Sequence, residues 1–380
     1  MTRQPFTITC YSAQRYRLGQ VGRPEQVSVT WRHNALSTAT LVLSDRDPRA
    51  ADLAATGARV AIAYDQLPDE PMTGWVSERQ GTDTGTRTFS VVDDFTLLLD
   101  VLGWPDPTSP LLAQTKAYDD YAGPAETVVR DVVRANAVDR LGMALTVGPG
   151  LGRGGEARCS FRMHPLADRL FPAVDLAGIG VTIRQRPDET ASDGRRRSPG
   201  LKLSVYTPRA YPRELSDVSG AVTAWTHEAH TMTASRVVSG QQGEAEARDF
   251  GESVDTIREA RQQRVIERFV DARDTAEEAV GFKRRSEALA EGAPTAGLSV
   301  TLAETPGFAY GRAVRVGDEA TIRAGGEVVT DVLREATVAW NKADGLKVAP
   351  TVGQVDLSIK AVPRAVSALA RSVRNLSAGR

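Results

Sequence analysis

The residues best suited to metal or phosphate chemistry are a histidine pair and a glycine-rich loop. His227 and His230 are three apart in HEAH (227–230), whereas the zinc-protease motif requires histidines four apart with Glu after the first. The loop GPGLGRGG (148–155) fits G-x-G-x-x-G formally, but a strand-like pattern follows it. A phosphate site of that type needs a helix N-terminus instead. We therefore predict no metal and no cofactor at either position.

The candidates for acid, base or nucleophile are equally isolated. Cys10 and Cys159 have no neighbouring histidine in the sequence, which is typical of inert thiols. The pairs Asp93–Asp94 and Asp119–Asp120 are adjacent, so their side chains point to opposite faces of a strand. A glycosidase needs two carboxyl groups that face each other across the substrate. We predict no catalytic residues and no enzyme activity.

Composition narrows the remaining classes of protein. The chain has 380 residues, and its net charge of −1 argues against a protein that grips nucleic acid or an anionic membrane electrostatically. Two cysteines exclude a disulfide scaffold. The start, MTRQPFTITC, lacks the apolar core of a signal peptide, and no run of eighteen apolar residues occurs. We expect a soluble, multidomain protein that is made inside the cell and does not insert stably into a membrane.

Alternation and turn residues predict an α+β, multidomain fold, in which two small antiparallel β-barrels flank an α+β domain and a helix follows. Short alternating runs, such as Val27, Val29 and Trp31, predict strands with one buried face. The predicted regions are a first β-barrel (1–105), an α+β domain (106–215), a second β-barrel (216–350) with a helical insertion (about 252–293), and a C-terminal amphipathic helix or tail (351–380).

Within the α+β domain, Gly123 and Pro124 predict a helix start, and four valines of one apolar stripe follow (Val128, Val129, Val132 and Val133). A second helix is predicted over 165–176, and strands over 180–185 and 201–206. The polar segment between those strands (188–200) predicts a long, mobile hairpin tip, whose arginines (195–197) are either solvated or touch phosphate.

Two helices are predicted within the insertion. The charged stretch 252–264 favours the first, and 275–291 favours the second, with Asp274 as its N-cap and Gly292 at its end. Strands are then predicted over 297–303, 312–323 and 327–340.

Two hairpins resemble each other across the chain. The shared positions are Gly57, Val60, Ile62, Thr73 and Glu78 in the first hairpin, and Gly317, Ala320, Ile322, Thr330 and Glu335 in the second. Either the two β regions are copies of one unit, or two hairpins have converged on a similar pattern.

The last twenty-six residues carry a heptad pattern after Val355. Its apolar positions, which form a candidate oligomer seam, are Ile359, Val362, Val366, Leu369, Val373 and Leu376. Pro363 predicts the helix start, so only about two heptads remain after it. The pattern fits either self-association or a helix packed on its own domain.

Four collinear stretches resemble tail-hub proteins of long-tailed bacteriophages, a family related to myophage baseplate hubs and to the N-terminal part of tail-associated lysins. The stretches are TGARVAIAYD (56–65) with MTGWVSERQG (72–81), YAGPAETVVRDVVRANAV (121–138), ERFVDARDTAEEAV (267–280) and FAYGRAVRVGDEATI (308–322). The hairpin tip (188–200) and the tail after 355 are not part of the resemblance.

The resemblance implies a homotrimer in which each chain contributes two similar barrels to a ring around a lumen. It also implies contacts with the distal tail protein, the tape measure protein and downstream receptor-binding or fibre proteins. DNA would pass only in transit through the lumen, when host contact opens the ring. The implied location is the virion tail tip, after assembly in the host cytoplasm. Some hubs carry a carboxy-terminal hydrolase, and because this chain ends at Arg380 we expect none here.

Two other functions remain open. One is a host cell-wall glycan hydrolase or binding protein that uses carboxylates of the α+β domain. The other is the equivalent hub of a phage-derived injection particle.

Overall fold

The computed structural model describes residues 4–81, 85–218, 220–243, 247–273, 276–293, 295–303, 308–324 and 327–352. Strands hold 45% of the residues and helices 20%, so the protein is a mixed fold dominated by β structure. This composition confirms that helices and strands are mixed, as the sequence predicts.

Seven strands occupy the described part of the first hundred residues. They are β1 (Phe6–Tyr11), β2 (Arg17–Gln20), β3 (Gln26–Arg32), β4 (Thr38–Ser44), β5 (Arg59–Tyr64), β6 (Leu67–Gly81) and β7 (Thr86–Asp93). Two short helices accompany them, α1 (Pro48–Ala54) and α2 (Leu97–Asp100). Every second residue of β3 is buried, namely Val27, Val29 and Trp31, as the alternation predicts.

The middle of the chain is an α+β region. Its strands are β8 (Leu102–Gly103), β9 (Asp119–Pro124), β10 (Leu145–Val147), β11 (Glu156–Phe161), β12 (His164–Pro165), β13 (Gly180–Gln185), β14 (Glu189–Thr190), β15 (Arg196–Arg197) and β16 (Leu201–Tyr206). Its helices are α3 (Ala125–Val133), which continues into a π-helical turn (Arg134–Asp139), and α4 (Leu166–Leu176). The four valines of α3 are buried with apolar residues of α4, β13 and β16, so both predicted helices and both predicted strands are confirmed.

The last part contains β17 (Leu215–Ser216), β18 (Val222–His230), β19 (Arg236–Gly240), β20 (Phe250–Val254), β21 (Glu267–Asp271), β22 (Thr295–Leu302), β23 (Glu319–Ala324), β24 (Glu327–Asn341) and β25 (Gly345–Val352). Two helices lie between these strands, α5 (Thr256–Gln262) and α6 (Glu278–Glu291). The predicted helix over 252–264 is therefore too long, because its first residues belong to β20. Helix α6 begins after Glu277, which is its N-cap, and Gly292 ends it as predicted, whereas the predicted N-cap Asp274 lies outside the described residues.

Strands of both predicted barrel regions join in one sheet. The order is β18-β22-β25-β24-β3-β4-β7-β6-β5-β1-β2, and β23 with β17 extends from β24. The connection is possible because β24 is fifteen residues long, so that one half pairs with β23 and the other half with β3. Among the described strands none of the sheets closes, so the two separate barrels of the sequence interpretation are not observed.

The resemblance between the two hairpins extends to their hydrogen-bond register. The pairs Val60–Gly74, Ala61–Thr73 and Ile62–Met72 of β5 and β6 correspond to Ala320–Asp331, Thr321–Thr330 and Ile322–Val329 of β23 and β24. The glycines that precede β5 and β23, Gly57 and Gly317, both have positive φ, +72° and +91°. Equivalent positions therefore lie opposite one another in the two hairpins.

The register also shifts at the same place in both copies. A β-bulge lies between Val76 and Glu78 where β6 pairs with β7, and another between Leu333 and Glu335 where β24 pairs with β25. A bulge at an equivalent position is a specific feature of a strand pair. The unit β3-β4-β5-β6-β7, the first repeat, thus corresponds to β18-β22-β23-β24-β25, the second repeat.

Residues 226–299 form a compact unit of their own, and the rest of the chain forms the other. Most of this unit is an insertion into the second repeat, because residues 231–294 separate β18 from β22, whereas only residues 33–37 separate β3 from β4. Its sheet has the order β20-β19-β21, and α6 contacts all three strands. Its buried apolar core consists of Ala234, Val237 and Ala288. The domain boundaries predicted at 105, 215 and 350 stay predictions.

The segment 188–200 is held against the turn after β1, contrary to the predicted mobile tip. The guanidinium carbons of Arg195 and Arg197 lie 4.2 and 5.1 Å from the ring centroid of Tyr16. Arg197 Nε donates to the Gln14 carbonyl at 2.9 Å, and Ser198 is fully buried. Polar composition alone misleads here because arginine packs on aromatic rings and donates to carbonyls at the same time.

Candidate functional site

The glycine-rich loop encloses a carboxylate of the protein itself. Glu126, on the first turn of α3, is fully buried and accepts hydrogen bonds from the backbone N–H groups of Leu151 and Arg153, each at 3.1 Å. The guanidinium groups of Arg153 and Arg130 donate to the same carboxylate at 2.8–2.9 Å. These hydrogen bonds, with Arg153 first, hold the pKa of Glu126 well below its usual range.

This arrangement explains the formal phosphate motif. The backbone donors that would bind a phosphate already bind Glu126, and the residues after Gly155 form the strand β11. The prediction that GPGLGRGG is not a phosphate loop therefore has a structural reason. Glu126 and Arg130 are four residues apart on one helix, and this spacing was a signal that sequence reasoning overlooked.

Asp93 ends β7 and Asp94 begins the helical turn that follows, and the two side chains have different surroundings. Asp94 is fully buried and accepts from Arg59 Nη2 at 2.5 Å and from Thr73 Oγ1 at 2.6 Å. Thr73 Oγ1 also accepts from the Gln185 backbone N–H at 2.8 Å, which connects β6 with β13 of the α+β region. Asp94 therefore fastens one region to the other and is not positioned to react with a substrate.

Asp93 lies at a cavity of about 330 Å³ within the larger of the two units. The cavity is lined from three parts of the chain, with Trp31 and Met72 from the first repeat, Ile183 and Tyr206 from the α+β region, and Tyr310 preceding β23. Two buried polar atoms at this cavity have no hydrogen-bond partner in the protein, Asp93 Oδ1 and Trp31 Nε1. Burial raises the pKa of Asp93 to about 7.

The other charged groups of the cavity are paired. Glu70 accepts from Arg184 at 3.2 Å and from Arg315, and Asp318 accepts from Arg209 at 2.7 Å. A glycosidase would need a second carboxyl group free to face Asp93, and neither of these two acids is free. Ion pairs at the cavity thus connect parts of the chain that line it. The arrangement does not provide the two facing carboxyl groups that glycoside hydrolysis needs.

A histidine that sequence reasoning did not consider adjoins Tyr206. His33 is buried in the turn after β3, and burial lowers its pKa to about 4, so it is neutral at pH 7. His33 Nδ1 lies 2.8 Å from the Tyr206 hydroxyl oxygen, within hydrogen-bond distance, and Asn34 Nδ2 donates to Asp175 Oδ1 at 2.6 Å and to the Ile179 carbonyl at 2.9 Å. Asn34 also accepts from the Val181 N–H at 2.8 Å. This turn therefore docks the first repeat on the α+β region.

The remaining predicted site residues divide into two groups. Cys10 and Cys159 are buried, and burial raises the pKa of Cys10 to about 12, as expected of an inert thiol. His227 and His230 belong to β18, but their side chains lie outside the described residues. The candidate seam also lies outside them, at Ile359, Val362, Val366, Leu369, Val373 and Leu376. In the described part of the chain, no group of three His, Cys, Asp or Glu side chains could hold a metal ion.

Comparison with known families gives a match over most of the chain: the profile described as Siphovirus ReqiPepy6 Gp37-like protein matches residues 7–354. The chain belongs to this siphovirus protein family. The match covers nearly the whole chain and confirms the resemblance to tail proteins of long-tailed phages.

A solved phage tail protein shares the fold. The 43 kDa tail protein of prophage MuSo2 from Shewanella oneidensis aligns with a TM-score of 0.50 at 12% identity, over 91% of this chain and 98% of that one. The tail protein from Neisseria meningitidis MC58 aligns with a TM-score of 0.48 at 12% identity, over 93% of this chain and 98% of that one. No protein with a curated functional description matches the sequence. Among the described helices of this family member, none is long and apolar enough to cross a membrane.

Proposed function

We propose that this Gp37-like protein is the tail hub of a long-tailed phage. Three copies form a ring that closes the distal end of the tail tube and connects it to host-recognition proteins. The ring opens for DNA passage after host contact. Its neighbours are the distal tail protein, the tape measure protein and receptor-binding or fibre proteins, and its place is the tail tip of the virion.

The repeated strand unit is the observation that carries this proposal. The two repeats share hairpin register and bulge position, so one chain presents two similar surfaces. Three chains then present six similar surfaces, a number that matches a tube with six-fold symmetry. The family and the shared fold with a phage tail protein support the same function.

The near-zero net charge is compatible with a lumen through which DNA passes. A strongly basic wall would bind the phosphate backbone and slow its passage. With a net charge of −1, the chain has no overall electrostatic attraction for DNA. This argument supports transit of DNA and not stable binding.

The deciding experiment is the solution mass of the full chain by light scattering over a wide concentration range. We expect about three times the chain mass of 40.9 kDa. Antibody labelling of virions, viewed by electron microscopy, should place the protein at the tail tip. The mass of a single chain at every concentration, or label elsewhere on the virion, would contradict the proposal.

A further inference from the structure

Strand β6 has an unpaired edge over its second half. It pairs with β5 through Leu67–Trp75 and with β7 through Gly74–Gly81. Over Ser77–Gly81, therefore, only the β7 side is occupied by a strand of the described chain, and these residues are exposed. An unpaired edge presents N–H and C=O groups that can pair with another strand.

The equivalent edge in the second repeat is paired within the chain. Strand β24 has β25 on one side and β3 on the other, where Glu335–Val338 pair with Val29–Arg32. Glu335 corresponds to Glu78, because both directly follow the shared bulge. The segment Glu78–Gly81 of β6 is therefore the counterpart of a segment that β3 covers.

The polar character of the β6 edge does not argue against such pairing. Where β24 meets β3, Glu335 accepts from Arg32 Nε at 2.6 Å. The hydroxyl groups of Thr337 and Thr30 lie 2.9 Å apart in the same contact. The internal contact between repeats is thus itself polar on one face, and Glu78 occupies the position of Glu335.

The counterpart of β3 in the second repeat is β18, which is the last strand of the sheet. Among the described strands it pairs only with β22, just as β3 pairs with β4. Trp225 of β18 is 48% exposed. The chain therefore contains the two strands of a second contact between repeats, β6 and β18, and these two strands do not pair with each other in the described chain.

We propose that β6 of one copy pairs with β18 of the next copy, as β24 pairs with β3 within a chain. The contact joins Glu78–Gly81 to the open edge of β18 and makes the sheet continuous from copy to copy. It is heterologous, so it generates a ring when the rotation closes. This inference rests on the proposed ring and names the surface that builds it. The occupant is a second copy because the chain already shows, between its own repeats, that the two surfaces fit.

Disulfide trapping tests the contact directly, since paired strands bring Cα atoms within the range a disulfide requires. One set of variants carries a single cysteine in β6, at R79C or Q80C, and the other carries one in β18, at T223C, A224C or W225C. The native cysteines are buried. We expect a disulfide-linked dimer in at least one mixture of the two sets, and none when either variant is oxidised alone.

The matched control replaces the β18 cysteine by T146C, on the exposed part of β10. It should give no dimer with the β6 variants. Absence of a dimer in every β6–β18 mixture would overturn the inference, and so would a dimer formed equally by a β6 variant alone, which would indicate a two-fold contact.

Light scattering of the same samples separates the two proposals. A mass of three chains without cross-links would leave the ring intact and refute this interface. A mass of one chain without cross-links would refute both. A variant that does not rely on oxidation, W225E, should lower the mass to one chain while its melting stays cooperative, and an unchanged mass would count against the interface.

Discussion

At the residue scale, the buried charged groups of this protein connect segments that are distant in sequence. Asp94 joins β5, β6 and β13 through Arg59 and Thr73, and Glu126 holds the glycine-rich loop against α3. Removing one partner of a buried ion pair is costly because the other charge stays buried without compensation. These side chains therefore give the clearest tests of how the regions are fastened together.

Replacing Glu126 by Gln should lower the free energy of unfolding by about 3–5 kcal/mol, because two arginines lose the carboxylate they share. The folded pKa of Glu126 lies below the unfolded value of 4.5, so its stabilisation is complete above that pH and declines as the pH falls. The difference in free energy of unfolding between Glu126→Gln and the original chain, measured with urea, should be smaller at pH 3 than at pH 7. The exposed Glu156→Gln is the control, and an equal loss in both variants would contradict the role of Glu126.

The contribution of Asp93 to stability should depend on pH in the opposite direction. Burial raises its pKa from 3.8 to about 7, so the folded state favours the protonated form and loses stability as the pH rises between these values. Asp93→Asn should therefore stabilise the protein at pH 8, by at most about 4 kcal/mol, and change little at pH 4. Thermal unfolding across this range measures the effect. The control Asp69→Asn, on the exposed part of β6, should change the stability by the same amount at every pH. An equally pH-independent change in Asp93→Asn would show that the Asp93 carboxyl is hydrated in the folded protein and would contradict the prediction.

At the element scale, alternation and helix signals locate most strands and helices of this protein but not their partners. The runs of β3, β4 and β5, and the start of α3 after Pro124, follow from local residue types. The pairing of β24 with β3 does not, since alternation reports which face is buried and not which strand lies beside it. The candidate site shows the same limit: Glu126 and Arg130 are visible as a helical pair, whereas the contact of Arg195 with Tyr16 depends on tertiary structure.

The hairpin of β14 and β15 gives a prediction at this scale. Tyr16→Ala removes the ring beneath Arg195 and Arg197 and should lower the free energy of unfolding by about 1–2 kcal/mol. Tyr16→Phe keeps the ring and should behave like the original chain. Denaturant unfolding and proteolysis within 188–200 measure the two variants. Equal stability of Ala and Phe would show that the hairpin is not held by this ring.

At the scale of the whole molecule, the second repeat differs from the first by the insertion between β18 and β22 (residues 231–294) and by the tail that follows it. The tail carries the heptad pattern, and its role in assembly stays a prediction. Two heptads are too short to hold chains together alone, so they would add to the strand contacts of the ring.

Replacing Val366, Leu369 and Val373 together by Asp should weaken the assembly, because three unpaired charges would enter the seam. Light scattering upon dilution should show earlier dissociation than in the original chain. The matched control places the same three charges on uncharged residues outside the seam, namely Ser367, Ala368 and Asn375. If both triple variants dissociate alike, the apolar seam does not contribute.

A hub without a hydrolase should leave the host wall intact. In a gel that contains purified murein, the full chain should produce no clearing zone, with lysozyme as the positive control. A zone that persists after further purification and disappears in Asp93→Asn would instead favour the glycan hydrolase.

The shared bulge has a consequence for the history of the gene. Its two copies keep the same backbone irregularity, while most neighbouring side chains differ, Val76 against Leu333 being an example. Tandem copying of one ancestral unit accounts for this pattern, since point mutation exchanges side chains far more readily than it relocates an extra residue in a strand. The ancestor would have been a half-length protein whose rings needed six identical chains. Fusion of two copies then freed one of them to diverge and accept a foreign segment.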